Sequence, residues 1–208
     1  MIFDLSPPIS DRLKVWPGDT PPRREVLLDL DRGDNLTLST LHATVHLGSH
    51  VDGPNHYGRG SGGVDSWPID RFVGPCQVVR VSVEPGALVR VEHLQGTTVD
   101  APRLLIATGS FPDPESFRED FNALDPELVS FLHDRGVRLI GVDTPSVDPF
   151  SSKELPAHHR FLDLGVTILE GLVLAKVPEG RYELIALPLL LVGFDASPVR
   201  AILRTVPT

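Results

Sequence analysis

Proline and glycine interrupt this chain so often that many short elements are expected rather than long helices. The 208 residues include 20 prolines and 18 glycines, spread along the whole sequence, and both residue types end regular structure. Between them lie short runs rich in valine, isoleucine and leucine, which are typical of strands. Several runs are apolar on both faces, as in strands covered on both sides. The predicted strands are Gln77–Val83, Arg103–Thr108, Val137–Val142, Val166–Leu169 and Tyr182–Leu187.

One segment has a complete helix signature. Asp125 is a good N-cap, Pro126 suits the first helical position, and Gly136 follows the expected end. The stripe that such a helix would bury consists of Leu128, Val129, Phe131 and Leu132. A shorter helix is expected over Ile69–Phe72. These patterns predict an α/β fold in a single domain spanning residues 1–208, with dominant strands and with helices packed outside.

Charge and cysteine content exclude several classes of protein. The formal charge is −9, and without a lysine or arginine run there is no footprint for nucleic acid or an anionic membrane. No apolar run approaches the roughly 20 residues of a membrane span, and the N-terminus lacks a secretion signal. Cys76 is the single cysteine, so no intrachain disulfide can form, and we expect this thiol to be packed in the core. A soluble, cytoplasmic protein is predicted.

Histidines are concentrated in one short segment. Four of the eight histidines lie between positions 42 and 56, and the informative part runs His46-Leu-Gly-Ser-His50-Val-Asp52-Gly-Pro-Asn-His56. Gly and Pro inside it indicate a strand end that enters a tight loop, which can bring several side chains together. His46, His50 and Asp52 share the same parity, so an extended chain would present them on one face.

The residue types in this segment indicate a metal site. Imidazole nitrogen and carboxylate oxygen together suit zinc, and also manganese or iron. With one cysteine, a thiolate-based structural zinc site is excluded, and a His/carboxylate site usually keeps a position open for water, as in catalysis. We further expect a strand over Leu38–Leu47 that presents His42 and His46 on one face. His42 itself is expected in the core or beside the ligands.

The segment resembles the His-x-Gly-Thr-His-x-Asp-x-Pro-x-His signature of the cyclase family of metal-dependent hydrolases, with Ser49 in place of threonine. Further blocks, in register over nearly the whole chain, are similar to the formamidase branch of this family. These blocks are the opening DLSPPI…VWPGDTP with Trp16, GVDTPSVDP at Gly141–Pro149, the pair His158–His159, Ile168–Leu174, Tyr182–Leu189 and Asp195–Leu203.

The resemblance implies two metal ions, usually zinc, with manganese as the alternative. His46, His50 and Asp52 would hold the first ion. Asp52 would bridge to the second, which His158 and Glu170 would complete. Only the resemblance selects His158 over its neighbour, whereas Glu170 also stands out because it directly follows a predicted strand.

The same resemblance implies an activity and an assembly. The family has a layered α/β fold with a central, largely β core, and forms homodimers. His56 would transfer protons, and Trp16 would contact an aromatic substrate, in its own subunit or in the partner. The implied reaction is hydrolysis of N-formylkynurenine to kynurenine and formate by metal-activated water, in tryptophan degradation by the kynurenine pathway.

Other interpretations remain open at this point. Another hydrolase of the same family, such as one opening the ring of isatin or another cyclic amide, would share the metal ligands. A non-catalytic metal-binding or small-molecule-binding protein is a third possibility, although His56 argues against it because a pure binder needs no spare histidine. Asp143 and Asp148 could support the metal ligands or simply form turns.

Overall fold

The computed structural model describes residues 1–206 and is built around one large mixed sheet. Its strands are short, as the spacing of proline and glycine predicts. Within the described residues, the strands in chain order are β1 (Ile2–Asp4), β2 (Arg23–Leu28), β3 (Leu38–His42), β4 (His50–Asp52), β5 (Val73–Arg80), β6 (Leu88–Val89), β7 (Arg103–Ala107), β8 (Ala123–Leu124), β9 (Leu139–Val142), β10 (Thr167–Glu170), β11 (Gly180–Ile185), β12 (Ala196–Pro198) and β13 (Ile202–Thr205).

Nine of these strands form the central sheet in the order β1-β13-β11-β5-β7-β9-β10-β4-β12. β5, β7, β9 and β10 run parallel to their neighbours in that series, whereas β4 is antiparallel to β10. Every residue of β7, β9 and β10 is buried, because both faces of the parallel strands are covered. Smaller two-stranded sheets pair β2 with β3 and β6 with β8. The α/β fold with a central β core is therefore confirmed.

Two α-helices and five short 3-10 helices accompany the strands in residues 1–206. The α-helices are α1 (Pro126–His133) and α2 (Pro156–Leu164), and the 3-10 helices are Leu30–Arg32, Pro54–His56, Val64–Ser66, Ile69–Arg71 and Val91–Leu94. Both α-helices pack on the same face of the sheet, in a core that includes Leu104 and Ile106 of β7. The alternating residue Leu105 belongs to a second core on the opposite face, as expected for a strand with a side-chain period of two.

Helix α1 forms as its signature predicts. The carboxylate of Asp125 accepts a hydrogen bond from the backbone N–H of Glu127 at 2.9 Å, which satisfies one of the free donors at the helix start. Leu128, Val129 and Leu132 are fully buried, and each such side chain contributes about 1.5–3 kcal/mol by leaving water. Phe131, which was expected in the same stripe, is only partly buried.

Helix α2 was not predicted, because the signal at its start is not local. Its N-cap is Leu155, whose φ of 45° places it in the left-handed region and whose side chain cannot accept a hydrogen bond. Asp148 replaces the missing cap from seven residues earlier, and its carboxylate accepts the N–H groups of Ala157 and His158 at 3.0 and 2.9 Å. Glycine at the end is the expected signal, since Gly165 caps α2 with a positive φ.

The expected strand over Leu38–Leu47 is wrong in its second half. β3 ends at His42, which pairs with Arg23, the first residue of β2. Beyond this pair no partner strand continues the ladder, so the chain bends before His46. His42 lies away from the core, and its Nε2 is 2.6 Å from a carboxylate oxygen of Glu25. His42 and His46 therefore do not share a strand.

The other predicted strands are present, and they differ from the prediction mainly in where they begin and end. The strand expected over Gln77–Val83 begins at Val73 and ends at Arg80, because β11 pairs along it from Val73 to Val78. Cys76 is buried, as expected. No helix within residues 1–206 is long and apolar enough to cross a membrane.

Candidate metal centre

Strand β4 places two side chains of the histidine segment on one face of the sheet. Its register sets His50 opposite Glu170 and sets Val51 opposite Leu169 on β10. Because side chains alternate along a strand, His50 and Asp52 lie on the same face of the sheet. Val51 lies on the other face and packs in the apolar core. The shared face predicted for His50 and Asp52 is thus present. His46 reaches the same point from a bend rather than from a strand.

The carboxylate of Asp52 lies at the centre of the cluster. Its Oδ1 is 3.3 Å from Nδ1 of His46 and 3.6 Å from Nε2 of His50, and its Oδ2 is 3.7 Å from Nε2 of His158. Two donors of a tetrahedral zinc ion, each about 2.0–2.1 Å from the metal, stand about 3.3 Å apart. The spacings around Asp52 are therefore close to those of ligands that share an ion.

Glu170 completes the cluster at the end of β10. Its Oε2 is 3.2 Å from Nε2 of His50, and its Oε1 is 3.8 Å from Nε2 of His158. The backbone N–H of Val147 donates to Oε1 at 2.8 Å and holds the carboxylate in place. His158, on the buried face of α2, faces this cluster, whereas His159 is exposed.

Each of the three histidines nearest Asp52 is held by a hydrogen-bond partner at its outer ring nitrogen, the nitrogen that faces away from Asp52. Nδ1 of His50 donates to the carbonyl oxygen of Gly48 at 2.9 Å. Nδ1 of His158 lies 2.6 Å from Oδ2 of Asp148, and Nε2 of His46 lies 3.1 Å from Oδ2 of Asp195. An acceptor at the outer nitrogen selects the tautomer whose inner nitrogen carries a free lone pair, which is how metal-binding histidines are usually held.

The donors fit a divalent metal ion. Both carboxylate oxygens of Asp52 are buried and have no hydrogen-bond partner among the described residues, and leaving a buried charged group unpaired is costly. The candidate ligand atoms of His46, His50 and Asp52 lie within 4.8 Å of one another, as do those of Asp52, His56 and His158. Nitrogen and carboxylate donors of this kind suit zinc or manganese.

The Asp52 carboxylate stabilises positive charge beside it. Burial by itself disfavours the protonated form of His46, yet the adjacent Asp52 carboxylate outweighs burial and raises the pKa of His46 to about 9. Burial likewise acts to raise the pKa of Asp52, but the nearby imidazoles, His46 foremost, hold it well below its usual range. Asp52 therefore remains a carboxylate over the physiological pH range.

His56 differs from the other histidines of the cluster. Its ring is 4.2 Å from that of His46, between centroids, and its Nδ1 lies 3.8 Å from Asp195. No outer partner fixes it among residues 1–206, and about a third of its side chain is exposed. Burial lowers the pKa of His56, which favours a neutral ring able to accept a proton.

Comparison with known proteins places this chain in a family. Residues 3–149 match the family model Cyclase, described as "Putative cyclase". A kynurenine formamidase of Bordetella avium (strain 197N) is 43% identical over 204 residues, which cover 98% of this chain and 97% of the relative. The chain belongs to the cyclase family. The agreement extends over nearly the full length, so the later residues His158 and Glu170 lie within the aligned region.

Solved structures of similar shape agree with the cyclase-family assignment. A structure described as a potential metal-dependent hydrolase with cyclase activity has a TM-score of 0.84 and 28% identity, and covers 100% of this chain and 99% of its own. Isatin hydrolase A from Ralstonia solanacearum has a TM-score of 0.81 with 23% identity, and covers 98% and 91%. The second comparison shows a shared fold only.

A cavity of about 1060 Å³ opens above this histidine cluster and is partly lined by aromatic rings. Trp16 lines it, with its ring 4.9 Å from that of Phe150 and 5.7 Å from that of Phe117, between centroids. Trp16 thus lies in the cavity of its own chain. Aromatic side chains in the wall of such a cavity can hold an aryl group beside the His/Asp cluster.

Sequence reasoning missed or left open several members of the site. Asp148, considered as either a supporting carboxylate or a turn residue, contacts His158 directly. Asp143 does not reach the ligands. It accepts hydrogen bonds from Thr108 and Gly109 instead. Asp195 was not singled out, although it opens a sequence block that resembles the family. It reaches His46 because β12 pairs with β4 and sets Ala196 opposite Asp52.

Proposed function

We propose that this chain hydrolyses N-formylkynurenine to kynurenine and formate with two bound metal ions. The observation that carries the proposal is that the two carboxylate oxygens of Asp52 face different histidines. Oδ1 faces His46 and His50, whereas Oδ2 faces His158. A carboxylate with two oxygens directed at separate sets of ligands is suited to bridge two ions. The name of the Bordetella avium relative, kynurenine formamidase, supports the choice of substrate.

The residues divide into two ligand sets that share one carboxylate. His46, His50 and Asp52 would hold the first ion, and Asp52, His158 and Glu170 the second. We propose zinc in both positions, with manganese as the alternative, because both accept nitrogen and carboxylate donors. When bound, the metal supplies positive charge that activates water near neutral pH, polarises the formyl carbonyl and stabilises the developing oxyanion.

His56 is placed to move the protons that the reaction requires. Cleavage of an aryl formamide needs a base when water attacks the formyl carbon, and then an acid when the aniline nitrogen departs. His56 lies beside His46 with both ring nitrogens free of hydrogen bonds among residues 1–206, and its lowered pKa favours the neutral form. It would accept the proton from water and deliver it to the leaving nitrogen.

The aromatic wall orients the substrate. Trp16 and Phe150 present apolar faces within the same cavity as His56. With the substrate ring packed against Trp16, the attached formamide would be directed toward Asp52. Such fixed orientation accelerates hydrolysis because the reacting atoms are held near their attack geometry.

We also propose a homodimer in the cytoplasm. Apolar side chains are exposed on the β2–β3 sheet and in the segment 187–194, and groups of exposed apolar side chains commonly mark a protein contact. The most exposed members of these two regions are Leu27, Leu38, Leu41, Leu189, Leu190 and Val192. The single, buried Cys76 suits a reducing compartment. Sedimentation equilibrium tests the dimer directly.

The substrate assignment is tested by comparing two amides. Purified, metal-loaded protein should release kynurenine from N-formylkynurenine, followed by absorbance, and should act far more slowly on isatin. Preference for isatin would instead favour the cyclic amide hydrolase, and turnover of neither compound would favour a non-catalytic binding protein. Replacing His159 with alanine should leave both activities unchanged, because this histidine is exposed and, unlike its neighbour His158, does not face the cluster.

A further inference from the structure

The cavity above the metal centre contains two of the three lysines in the chain. Lys14 and Lys153 both line it, whereas Lys176 is exposed outside the lining. Positive side chains in the cavity stand out because the chain has a formal charge of −9. An aryl ring alone would need only apolar surface. Two ammonium groups in the cavity provide positive charge that an anionic part of a ligand could use.

Each lysine lies close in sequence to a residue of the aromatic wall. Lys14 precedes Trp16 by two residues, and its backbone N–H donates to the carbonyl oxygen of Pro114 at 2.9 Å, which ties this segment to the loop that carries Phe117. Lys153 follows Phe150 by three residues, after a turn closed between Ser152 and Pro149. Both lysines line the cavity and are exposed to solvent.

The third cation of the cavity is already engaged. The guanidinium of Arg80 donates to the carbonyl oxygens of Leu174, Ala175 and Val177, the first two at 2.8 and 3.2 Å and the last at 2.6 Å. By contrast, no salt bridge within residues 1–206 involves Lys14 or Lys153. The two lysines are thus the cations of the cavity that have charge available for a ligand.

We infer that Lys14 and Lys153 bind the α-carboxylate of an amino acid attached to the aryl ring, an inference that rests on the proposed function for the reaction itself. In N-formylkynurenine the amino acid group extends from the ring position beside the formamide. With the formamide at Asp52 and the ring against Trp16, this group points to the open side of the cavity. Asp19 and Glu119 also line the cavity and suit the accompanying ammonium.

The lysines therefore determine specificity rather than perform the chemistry. They distinguish an aryl formamide that carries an amino acid from one that does not, through binding of the carboxylate. An exposed ion pair contributes up to about 1 kcal/mol, which corresponds to about a fivefold change in affinity. Replacing one lysine with glutamine should lower the preference for the amino acid substrate by about threefold to fivefold, and replacing both should lower it by about tenfold or more.

The test compares two matched substrates. Variants Lys14→Gln, Lys153→Gln and the double variant are assayed with N-formylkynurenine and with ortho-formamidoacetophenone, which lacks the amino acid carbons. We expect the ratio of the two kcat/KM values to fall, through KM for N-formylkynurenine, and to recover in Lys→Arg variants. Lys176→Gln is the control with the same loss of charge outside the cavity lining. An unchanged ratio, or equal losses on both substrates, would overturn the inference.

A binding measurement separates this inference from the proposed reaction. Calorimetric titration with kynurenine and with ortho-aminoacetophenone reports on the subsite without turnover. Tighter binding of kynurenine that depends on Lys14 and Lys153 would support the subsite even if no formamide were hydrolysed. Hydrolysis of both formamides with equal affinity for the two amines in every variant would retain the reaction and reject the subsite.

Discussion

The carboxylate of Asp148 holds the ring of His158 at 2.6 Å and also accepts the first N–H groups of helix α2. One buried side chain thus fixes both the position of the helix and the rotation of the imidazole that it carries. The same contact explains why His158 faces Asp52 although the N-cap residue of its helix, Leu155, provides no side-chain hydrogen bond. Loss of this carboxylate should therefore affect the metal centre and the fold together.

Replacing Asp148 with asparagine is expected to lower metal affinity by about 10–100-fold, because partners that orient a ligand contribute on that scale. The free energy of unfolding should also fall by about 1–3 kcal/mol, since a charged hydrogen bond to buried groups is weakened. Competition with a chromogenic chelator measures the affinity. Asp163→Asn, at an exposed site on the same helix, is the control. Lower stability with unchanged metal affinity would show that Asp148 only caps the helix and does not orient a metal ligand.

Gly171 allows β10 to lie against the histidine segment. Its φ is +67°, and a Cβ there would overlap the carbonyl oxygen of Gly48. Gly171→Ala should therefore destabilise the protein well beyond the roughly 1–2 kcal/mol of left-handed strain. Gly165→Ala is the matched control, since that residue has a φ of +61° with nothing within 4 Å. Urea unfolding measures the free energy of unfolding of each variant. An equal decrease in the two variants would show that the close approach of Gly171 to Gly48 adds nothing to the cost.

His56 should contribute to turnover without holding the metal. We expect His56→Ala to lower kcat by about 10²–10⁴-fold, the usual range for a general acid–base residue, with metal content unchanged. His50→Ala, which removes a donor beside Asp52, should instead lose metal. Metal analysis alongside kinetics separates these effects. Wild-type turnover in His56→Ala would reject the proton-transfer role, and loss of metal would reassign His56 as a ligand.

Removal of the Trp16 ring should weaken substrate binding more than chemistry. The ring stacks 4.9 Å from Phe150 in the cavity wall, and a buried aromatic pair contributes about 0.5–1.5 kcal/mol beyond its apolar area. Trp16→Ala is expected to raise KM for N-formylkynurenine by about tenfold or more. If kcat fell and KM stayed constant, the ring would act on the reacting atoms instead.

Cys76 should resist thiol reagents in the folded protein. Burial raises the pKa of the Cys76 thiol, and the thiolate is the reactive form. At pH 8 the native chain should therefore react with an aromatic disulfide reagent only on unfolding, whereas the urea-unfolded chain should release one equivalent of thiolate promptly. Rapid reaction of the native protein would show that this part of the core opens readily.

Local patterns predicted much of the fold and of the metal cluster. The parity of His50 and Asp52 requires only that the chain be extended, and β4 is extended there. The capping residues of α1 act within their own turn, so the sequence around Asp125 contains the whole signal. The apolar runs of β7, β9 and β10 likewise follow from burial on both faces.

Other features depend on distant residues that no local pattern can reveal. The cap of α2 is supplied by Asp148 from outside the helix, and β3 ends at His42 because β2 begins at Arg23. Asp195 approaches His46 only through the pairing of β12 with β4. The choice of His158 over His159 came from resemblance, since both residues are equally plausible until the buried face of α2 is known.

The most direct test of the account is the dependence of N-formylkynurenine hydrolysis on metal. Purified protein is stripped with a chelator, dialysed, and titrated with zinc while kynurenine release and bound metal are both measured, with manganese in a parallel series. We predict no turnover in the stripped protein and recovery that follows binding to the donors around Asp52, with Asp52→Asn failing to recover. Full turnover in stripped protein, or equal recovery in Asp52→Asn, would contradict the central claim.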